Sequence, residues 1–562
     1  LSKISGAQAL IKSFKNEGVE VIFGFPGGRV LPIYDALFDS DMTHILVRHE
    51  QCAAHAADGY ARATGKVGVC LATSGPGSTN LMTGIANAYM DSIPIVAITG
   101  QVSTNVIGTD AFQEADTTGI SAPITKHNYL VKDAEDLPRI IKEAFYIASS
   151  GRPGPVLIDI PDDVSKMMID FKYSDEVSLP GYKPTIKGHA KQIKQAANLL
   201  YEAKRPVIMA GGGVISSNAS GELTDLANQL NIPVTATLMG KGCFPEDSPL
   251  SLQMPGMHGT RYANYALTEA DVILAVGVRF DDRVTGKISE FAPKARIIHI
   301  DIDPAEIGKN VRVDVPIVGD AKNVLSAFLA AYLKIAEKTG MPDRKVWLDL
   351  IAEWKEKYPL KYKFTDVIKP EYVIEQIFEM TGGDAIVTTE VGQNQMWAAQ
   401  YYTALKPRTF ISSGGLGTMG FGFPAAIGAQ FGRRDKIVFD IAGDGSFQMV
   451  SQELATAVIN HLPVKVAIMN NGYLGMVRQW QELLYKRRYS HTCLESCPDF
   501  VKLAEAYGAV GLRATKPQEV KPVLEQAINN GQVTVIDFRI EREENVFPMV
   551  TPGSAINYML EE

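Results

Sequence analysis

Short apolar runs recur along this chain, each followed by a helix-like stretch. That alternation narrows the fold more than any other feature. The runs fall at 67–73, 93–99, 156–160, 207–210, 272–278, 297–302, 385–389, 438–441, 466–469 and 533–538. A strand that is apolar throughout must be covered on both faces. Such strands separated by helices build parallel sheets with helices on either side. A chain of 562 residues is too long for one core, since single cores stop growing at about 250–300 residues. Two polar stretches, 171–189 and 356–372, read as linkers. The expected fold class is α/β, with three doubly wound parallel-sheet domains at 1–172, 188–345 and 366–562.

A net charge of −8 counts against nucleic acid as the main partner. It leaves room for small anions held by a local glycine-rich turn. Five cysteines, Cys52, Cys70, Cys243, Cys493 and Cys497, are odd in number and mostly set in apolar stretches. They read as a reducing compartment without a disulfide framework. Cys493 and Cys497 lack the second pair that a zinc site needs. Residues 67–90 and 410–432 carry no charge and are long enough to raise the question of a membrane span. "TSGPGSTN" and "SSGGLGTMGFGFP" interrupt them, so both read as buried turns, and no membrane partner is expected. An amphipathic helix over 7–14 has no signal-peptide core. A cytoplasmic location is expected, with an organellar one left open because residue 1 is Leu.

Two of the strands end in polar tips. One runs into Gly443-Asp444-Gly445-Ser446. The other, from 444 to 471 or 27 positions on, ends in Asn470-Asn471-Gly472. Ligands of open parallel sheets bind beyond the carboxyl ends of the strands, so Asp444 and Asn471 face one crevice. A carboxylate and an amide oxygen are hard ligands for Mg²⁺ or Ca²⁺, and Mg²⁺ keeps positions open for phosphates. Gly443 and Gly445 let a diphosphate approach the backbone, and Ser446 starts the helix that follows, expected over 448–460. Gly-Asp-Gly alone is also an ordinary turn; the second tip favours a metal–diphosphate site. In the first unit Glu50 precedes an Ala-rich helix. It reads either as a helix-start carboxylate or as an acid whose apolar surroundings favour the protonated form. In the middle unit "RPVIMAGGGV" is a strand with three glycines, and "IIHIDID" is a strand ending near Asp301. Together they are a short, unspecific dinucleotide signal.

Gly-Asp-Gly followed by Asn-Asn resembles the signature of thiamine diphosphate enzymes. That resemblance implies that Asp444, Asn471 and the Tyr473 carbonyl hold the metal. It also implies that Glu50 exchanges a proton with the cofactor's aminopyrimidine ring. A longer ordered set is similar to the catalytic subunits of the acetohydroxyacid synthase (acetolactate synthase) family over nearly the whole chain. It comprises "GFPGG" (24–28), "RHEQ", "GPGSTN" (75–80), "GTDAFQEAD" (108–116), "GRPGPVLIDIP" (151–161), "GMHGT" (256–260), "GVRFDDRVTG" (277–286), "VGQNQMWAAQ" (391–400), "NNGYLGMVRQWQ" (470–481) and "NVFPMV" (545–550).

The resemblance implies thiamine diphosphate, Mg²⁺ and FAD as cofactors. Val391, Gly392, Gln393, Gly443, Gly445 and Ser446 would hold the diphosphate and its neighbours. Met419 would lie beneath the bent cofactor, and Pro76 and Asn80 beside its aminopyrimidine. Gly27 would offer backbone near the reacting carbonyl, with Gln113 by the substrate. Arg283 would clamp the second substrate's carboxylate and Trp480 would wall its alkyl pocket. Arg152, Gly211, Gly213, His258, Arg279, Asp301 and Asp320 would hold FAD. From the residues alone, Arg283 reads as a surface ion pair with Asp281 or Asp282. Met419 and His258 read as core residues, and Trp480 as a half-buried helix aromatic.

The implied reaction decarboxylates pyruvate and joins its two-carbon unit to a second 2-keto acid, pyruvate or 2-ketobutyrate, in branched-chain amino acid biosynthesis. Pyruvate oxidase or another carboligase is the alternative on the same scaffold. A non-catalytic paralogue is the alternative outside enzymes, and intact Glu50, Asp444 and Asn471 speak against it. The family joins the first domain of one subunit to the third of another, which implies a homodimer or dimer of dimers. A small regulatory subunit is a further expected partner. One departure stands out: Pro161-Asp162-Asp163-Val164 occupies the place of the family's Pro-Lys-Asp-Val, an anion for a cation.

Overall fold

The computed structural model describes residues 3–494 and 498–561; Cys497 lies outside them. The first sheet holds Val21–Gly24, Thr43–Leu46, Gly68–Ala72, Ile95–Gln101, His127–Leu130 and Val156–Pro161. Numbered one to six in chain order, these strands lie 2-1-3-4-6-5, all parallel. The third sheet holds Ile386–Thr389, Phe410–Ser412, Val438–Gly443, Lys465–Asn470, Val510–Ala514 and Thr534–Arg539 in the same order, again all parallel. The middle sheet holds Pro206–Ala210, Val234–Ala236, Val272–Val276, Arg296–Asp301 and Val315–Val318 in the order 2-1-3-4-5. The fold is thus three parallel-sheet α/β domains.

All ten expected strands are present. Among the described residues the three sheets hold seven further, unanticipated strands, six of them edge strands, and four short strands form two separate antiparallel pairs. An edge strand covers less apolar surface; in Thr43–Leu46 only Ile45 is buried. The expected helix over 448–460 is broken into Asp444–Gln448, a 3₁₀ turn Ser451–Glu453, and Leu454–Ile459. The break lets Glu453 turn inward, where it accepts the N–H groups of Arg48 (2.8 Å) and His49 (3.1 Å). No helix or strand occupies 171–189. The second linker is shorter than expected, because the helices Lys345–Lys357 and Pro370–Thr381 reach into it. Among the described residues, no helix is long and apolar enough to cross a membrane.

Two helices join the outer domains. Glu50–Thr64 follows the second strand of the first sheet, and Gly422–Gly432 follows the second strand of the third. They pack backbone against backbone. A Cβ on Gly59 would overlap the Ala425 carbonyl, and one on Gly428 would overlap the Ala56 carbonyl. Arg62 seals the contact, paired with Asp58 (2.5 Å) and Asp91 (2.9 Å) and donating to the Ser412 carbonyl (2.8 Å).

Candidate active site

Gly443 pairs with Met469 in the third sheet, so Asp444 and Asn471 leave adjacent strands at their carboxyl ends. Both are buried, at 1% and 5% exposure. Asp444 Oδ2 accepts the Gly472 N–H (3.0 Å), and Asn471 Oδ1 accepts the Tyr473 N–H (3.0 Å). Asn471 also donates to Gln393 Oε1 (3.2 Å). Gln393 in turn donates to Gln479 Oε1 (2.9 Å) and to the Glu544 carbonyl (2.8 Å).

The pocket above them is lined by Val391, Gly392, Met419, Ser446, Tyr473 and neighbours, all between 391 and 477. Glycines bare the backbone along part of its wall, beside Met419, Met469 and Leu474. Gly392 has φ 157°, and a Cβ there would sit 2.7 Å from Asn394 Oδ1. A Cβ on Gly445 would sit 2.6 Å from Leu474 Cδ2. The Ser446 hydroxyl lies 3.2 Å from both N and O of Gly443. Among the described residues, no three His, Cys, Asp or Glu side chains converge on a metal position. One carboxylate beside an amide holds a hard dication well only when more oxygens arrive with the ligand, as those of a diphosphate do. The donor set therefore fits a metal–diphosphate pair.

The second cluster lies at the carboxyl ends of the first sheet. Glu50 opens its helix and is half-buried, and its Oε2 accepts from Asn80 Nδ2 (3.0 Å). A Cβ on Gly77 would lie 3.4 Å from Oε1. Pro76 starts the short helix ending at Asn80, after Gly75 at φ 58°. The Gln113 backbone packs on Gly75, and Gly27 packs on the Thr73 side chain. The structure thus brings Gly27, Glu50, Pro76, Asn80 and Gln113 together, apart from the pocket wall that holds Asp444.

A third cavity, of about 510 Å³, opens between the first and middle domains. It sits where the strand order 2-1-3-4-5 reverses, the usual ligand crevice of such sheets. At that point the glycine backbones touch: Gly211 N–H donates to Val276 O (3.0 Å) and Gly213 N–H to Gly277 O (3.2 Å). Arg152, Gly213, Arg279, Asp301 and Asp320 line the cavity, with Gly211 packed on Gly277 beneath. Arg152 is held by Glu306 (2.6 Å) and by the Ser92 hydroxyl (2.8 Å). Burial pushes the Asp301 carboxyl up to about 6. Asp320 caps the helix Ala321–Thr339 by accepting from Asn323 N–H (3.2 Å). His258 is not on this wall. It is buried against the Pro548 carbonyl, and burial pulls its imidazole down to about 4. An extended dinucleotide fits the glycine-lined crevice.

The remaining expected residues are more exposed. Trp480 is half-buried in an outer groove with Leu484, Tyr485 and Tyr489. Val477, one turn earlier, borders both that groove and the metal pocket. Arg283 is 57% exposed and only loosely paired with Asp282, at 3.9 Å. Asp162 is paired with Lys166 (2.6 Å), so the anion carries its own cation four residues on.

Several residues at the site escaped the sequence reading. Asn394 donates to the carbonyls of Glu390 (2.9 Å) and Ile441 (2.8 Å), tying two strand tips together. Glu390 and Asp440 are fully buried carboxyls beside them. An acid inside the apolar run 437–442 was the available signal for Asp440.

Comparison with known proteins bears directly on this arrangement. Residues 4–120 match the family described as "Thiamine pyrophosphate enzyme, N-terminal TPP binding domain". Residues 193–328 match its central domain, and 390–538 its C-terminal TPP binding domain. Fold and site together define a thiamine pyrophosphate enzyme. The chain is 55% identical over 568 residues to the "Probable acetolactate synthase large subunit" of Methanocaldococcus jannaschii, covering 99% of this chain and 95% of that one. It is 54% identical to the "Acetolactate synthase" of Mycobacterium bovis, covering 99% and 91%. It is 49% identical to the "Acetolactate synthase large subunit" of Haemophilus influenzae, covering 100% and 98%. The chain belongs to the acetolactate synthase family.

Proposed function

We propose that the chain, divided at 1–172, 188–345 and 366–562, is the catalytic subunit of this synthase. It would decarboxylate pyruvate and join the two-carbon unit to pyruvate or 2-ketobutyrate, in branched-chain amino acid biosynthesis. The observation that carries the reading is the buried Asp444–Asn471 pair over glycine backbone, with Glu50 and Asn80 as a separate half-site.

Asp444, Asn471 and the Tyr473 carbonyl would hold Mg²⁺. The turn at Gly443, Gly445 and Ser446, with Val391, Gly392 and Gln393, would receive the diphosphate, and Met419 would support the cofactor. Thiamine diphosphate, when bound, supplies the electron sink that lets carboxylate leave as CO₂. Glu50 has one oxygen fixed by Asn80, so Oε1 is the atom that would exchange a proton with the aminopyrimidine, beside Pro76. Gly27 and Gln113 would face the reacting carbonyl. Arg283, loosely paired and exposed, would take the second substrate's carboxylate, a task suited to a guanidinium fork. Trp480 would wall its alkyl group.

The glycine crevice of the middle domain would hold FAD through Arg152, Gly211, Gly213, Arg279, Asp301 and Asp320, while His258, off that wall, is left out of the set. FAD there would be structural, since the net reaction is not redox. Two half-sites on one chain favour a homodimer or a dimer of dimers in which the halves meet. Relatives named as large subunits favour a small regulatory partner.

The test is product analysis with pyruvate, Mg²⁺, thiamine diphosphate and FAD. Acetolactate without flavin reduction is expected. Acetate or acetyl phosphate with flavin reduction would move the chain to an oxidase, and absence of any product would overturn both readings.

A further inference from the structure

Glu390 is a fully buried acid that none of the roles above uses. Its carboxylate accepts the Gly420 N–H at 2.6 Å through Oε2 and the Phe423 N–H at 3.0 Å through Oε1. Gly420 follows Met419, on one wall of the metal pocket. Val391 and Gly392, which follow Glu390 itself, form another wall. The Glu390 backbone is also anchored. Its N–H donates to Ile441 O (3.1 Å), on the strand that leads to Asp444, and its carbonyl accepts from Asn394 (2.9 Å). Phe423 lies in the first turn of Gly422–Gly432, the helix that packs against the one bearing Glu50.

The carboxylate therefore ties the Met419–Gly420 turn to the start of the Gly422–Gly432 helix through backbone N–H groups, while the Glu390 backbone itself is fixed to the strand leading to Asp444. Burying a charge without a cation costs several kcal/mol unless hydrogen bonds replace the water. Here converging N–H groups do so, a geometry no apolar side chain can reproduce. Asp440 lies beside it, also fully buried, with Oδ1 accepting from the Thr388 hydroxyl (3.2 Å) and Oδ2 without a partner in the described structure. Gly422 is pressed so close that a Cβ there would overlap Asp440 Oδ1. Two such carboxyls are not both ionised. Burial raises both, Glu390 to about 7 and Asp440 well above the usual carboxylate range, so the proton goes to Asp440 before Glu390.

We infer that Glu390 is a positioning residue that sets the gap between the Val391–Gly392 wall and the Met419 wall. The inference rests on the reading that thiamine diphosphate occupies this pocket. Gln at 390 keeps the shape but turns an N–H₂ group toward one of the two backbone donors, so one contact is lost.

The experiment is a titration of the whole protein with thiamine diphosphate at saturating Mg²⁺, followed by intrinsic tryptophan fluorescence. Glu390→Gln should raise the cofactor Kd at least tenfold and leave the pyruvate KM, at saturating cofactor, within twofold. Glu371→Gln is the control. That acid is also buried in the third domain, but it makes no bond to the pocket; its Kd should stay within twofold. Equal losses in both variants, or an unchanged Kd in Glu390→Gln, would overturn the inference. Should Glu390→Gln not fold, hydrogen exchange of the unmodified protein decides the matter. The Gly420 and Phe423 amides should be protected before cofactor is added, and exchange at open-loop rates overturns the idea. If the unmodified protein fails to bind the cofactor in an Asp444-dependent way, the underlying reading has failed instead.

Discussion

The first and third sheets share one strand order, yet their carboxyl ends carry different chemistry. Beyond the first stand Glu50, held by Asn80, and the close-packed Gly27. Beyond the third stand Asp444 and Asn471, over a floor of glycine backbone. On the proposed reading, the first end would supply the acid that exchanges a proton, and the third would supply the seat for the cation. Scaffold and chemistry are thus separable: the sheet decides where side chains stand, and a few tip residues decide what they do.

The largest effect should follow from removing the cation seat. Asp444→Ala leaves a single amide and carbonyls, too few hard donors for Mg²⁺. Acetolactate formation should vanish at any attainable Mg²⁺, and the cofactor titration should lose its signal. Retained Mg²⁺-dependent binding would break the division of labour. Glu50→Gln should act at the other end alone. The cofactor should still bind, while kcat falls by about 10²–10⁴-fold, the usual weight of a proton-transfer group. Should Glu50→Gln lose binding instead, Glu50 belongs to the seat and the comparison collapses.

The helices that join the two sheets give a prediction of intermediate size. Gly428→Ala places a methyl into the Ala56 carbonyl, a backbone atom that cannot swing away. Overpacking of this kind costs about 1–3 kcal/mol, so the melting temperature should fall. Gly221→Ala, on the helix Ser220–Leu230 with open space around its Cβ, should raise it slightly. If the two variants melt alike, the close approach of the outer domains is not structural.

Much of this architecture was legible in the sequence. The ten strands read from apolar runs include most of the interior strands, because a strand with both faces covered must be apolar throughout. The six edge strands were silent, since one flank is open, each is short, and all but Val315–Val318 mix polar with apolar residues. The same physics governs the site. Asp444 and Asn471 were readable because tips of parallel strands gather ligands. Glu390 was not, because its role depends on which backbone N–H groups the tertiary fold brings within about 3 Å; Asp440 left only the trace of an acid inside an apolar run. The single helix expected over 448–460 failed for a related reason. Local periodicity carries no record of Glu453 turning toward Arg48 and His49.

The smallest expected effect concerns two aspartates at one place in the two sheets. Asp159 is fourth in Val156–Pro161 and Asp537 is fourth in Thr534–Arg539, the sixth strand in each case. Both are buried. Asp159 has neutral donors, the Thr99 hydroxyl (2.7 Å) and the Gln101 amide (2.9 Å), and burial pushes it up to about 7. Asp537 instead meets the guanidinium groups of Arg513 (2.9 Å) and Arg539 (2.9 Å) and the Asn470 amide (2.8 Å). For Asp159 the folded state binds its proton more tightly than the unfolded chain. Its contribution to stability is therefore full at low pH and is lost as pH rises from about 4 to about 7. Each tenfold change in proton affinity is worth about 1.4 kcal/mol, so the carboxylate costs the fold on the order of 4 kcal/mol above pH 7. The amide of Asp159→Asn mimics the protonated acid, since Thr99 can turn its hydroxyl to accept. The melting temperature of Asp159→Asn should match the parent below about pH 4 and exceed it increasingly up to about pH 8. Asp537→Asn should lower the melting temperature across the same range, because Arg539 loses its carboxylate and Arg513 keeps only Asp499. A pH-independent difference for Asp159→Asn would mean that this aspartate is ionised in the folded protein, and the contrast between the sheets would reduce to their tips.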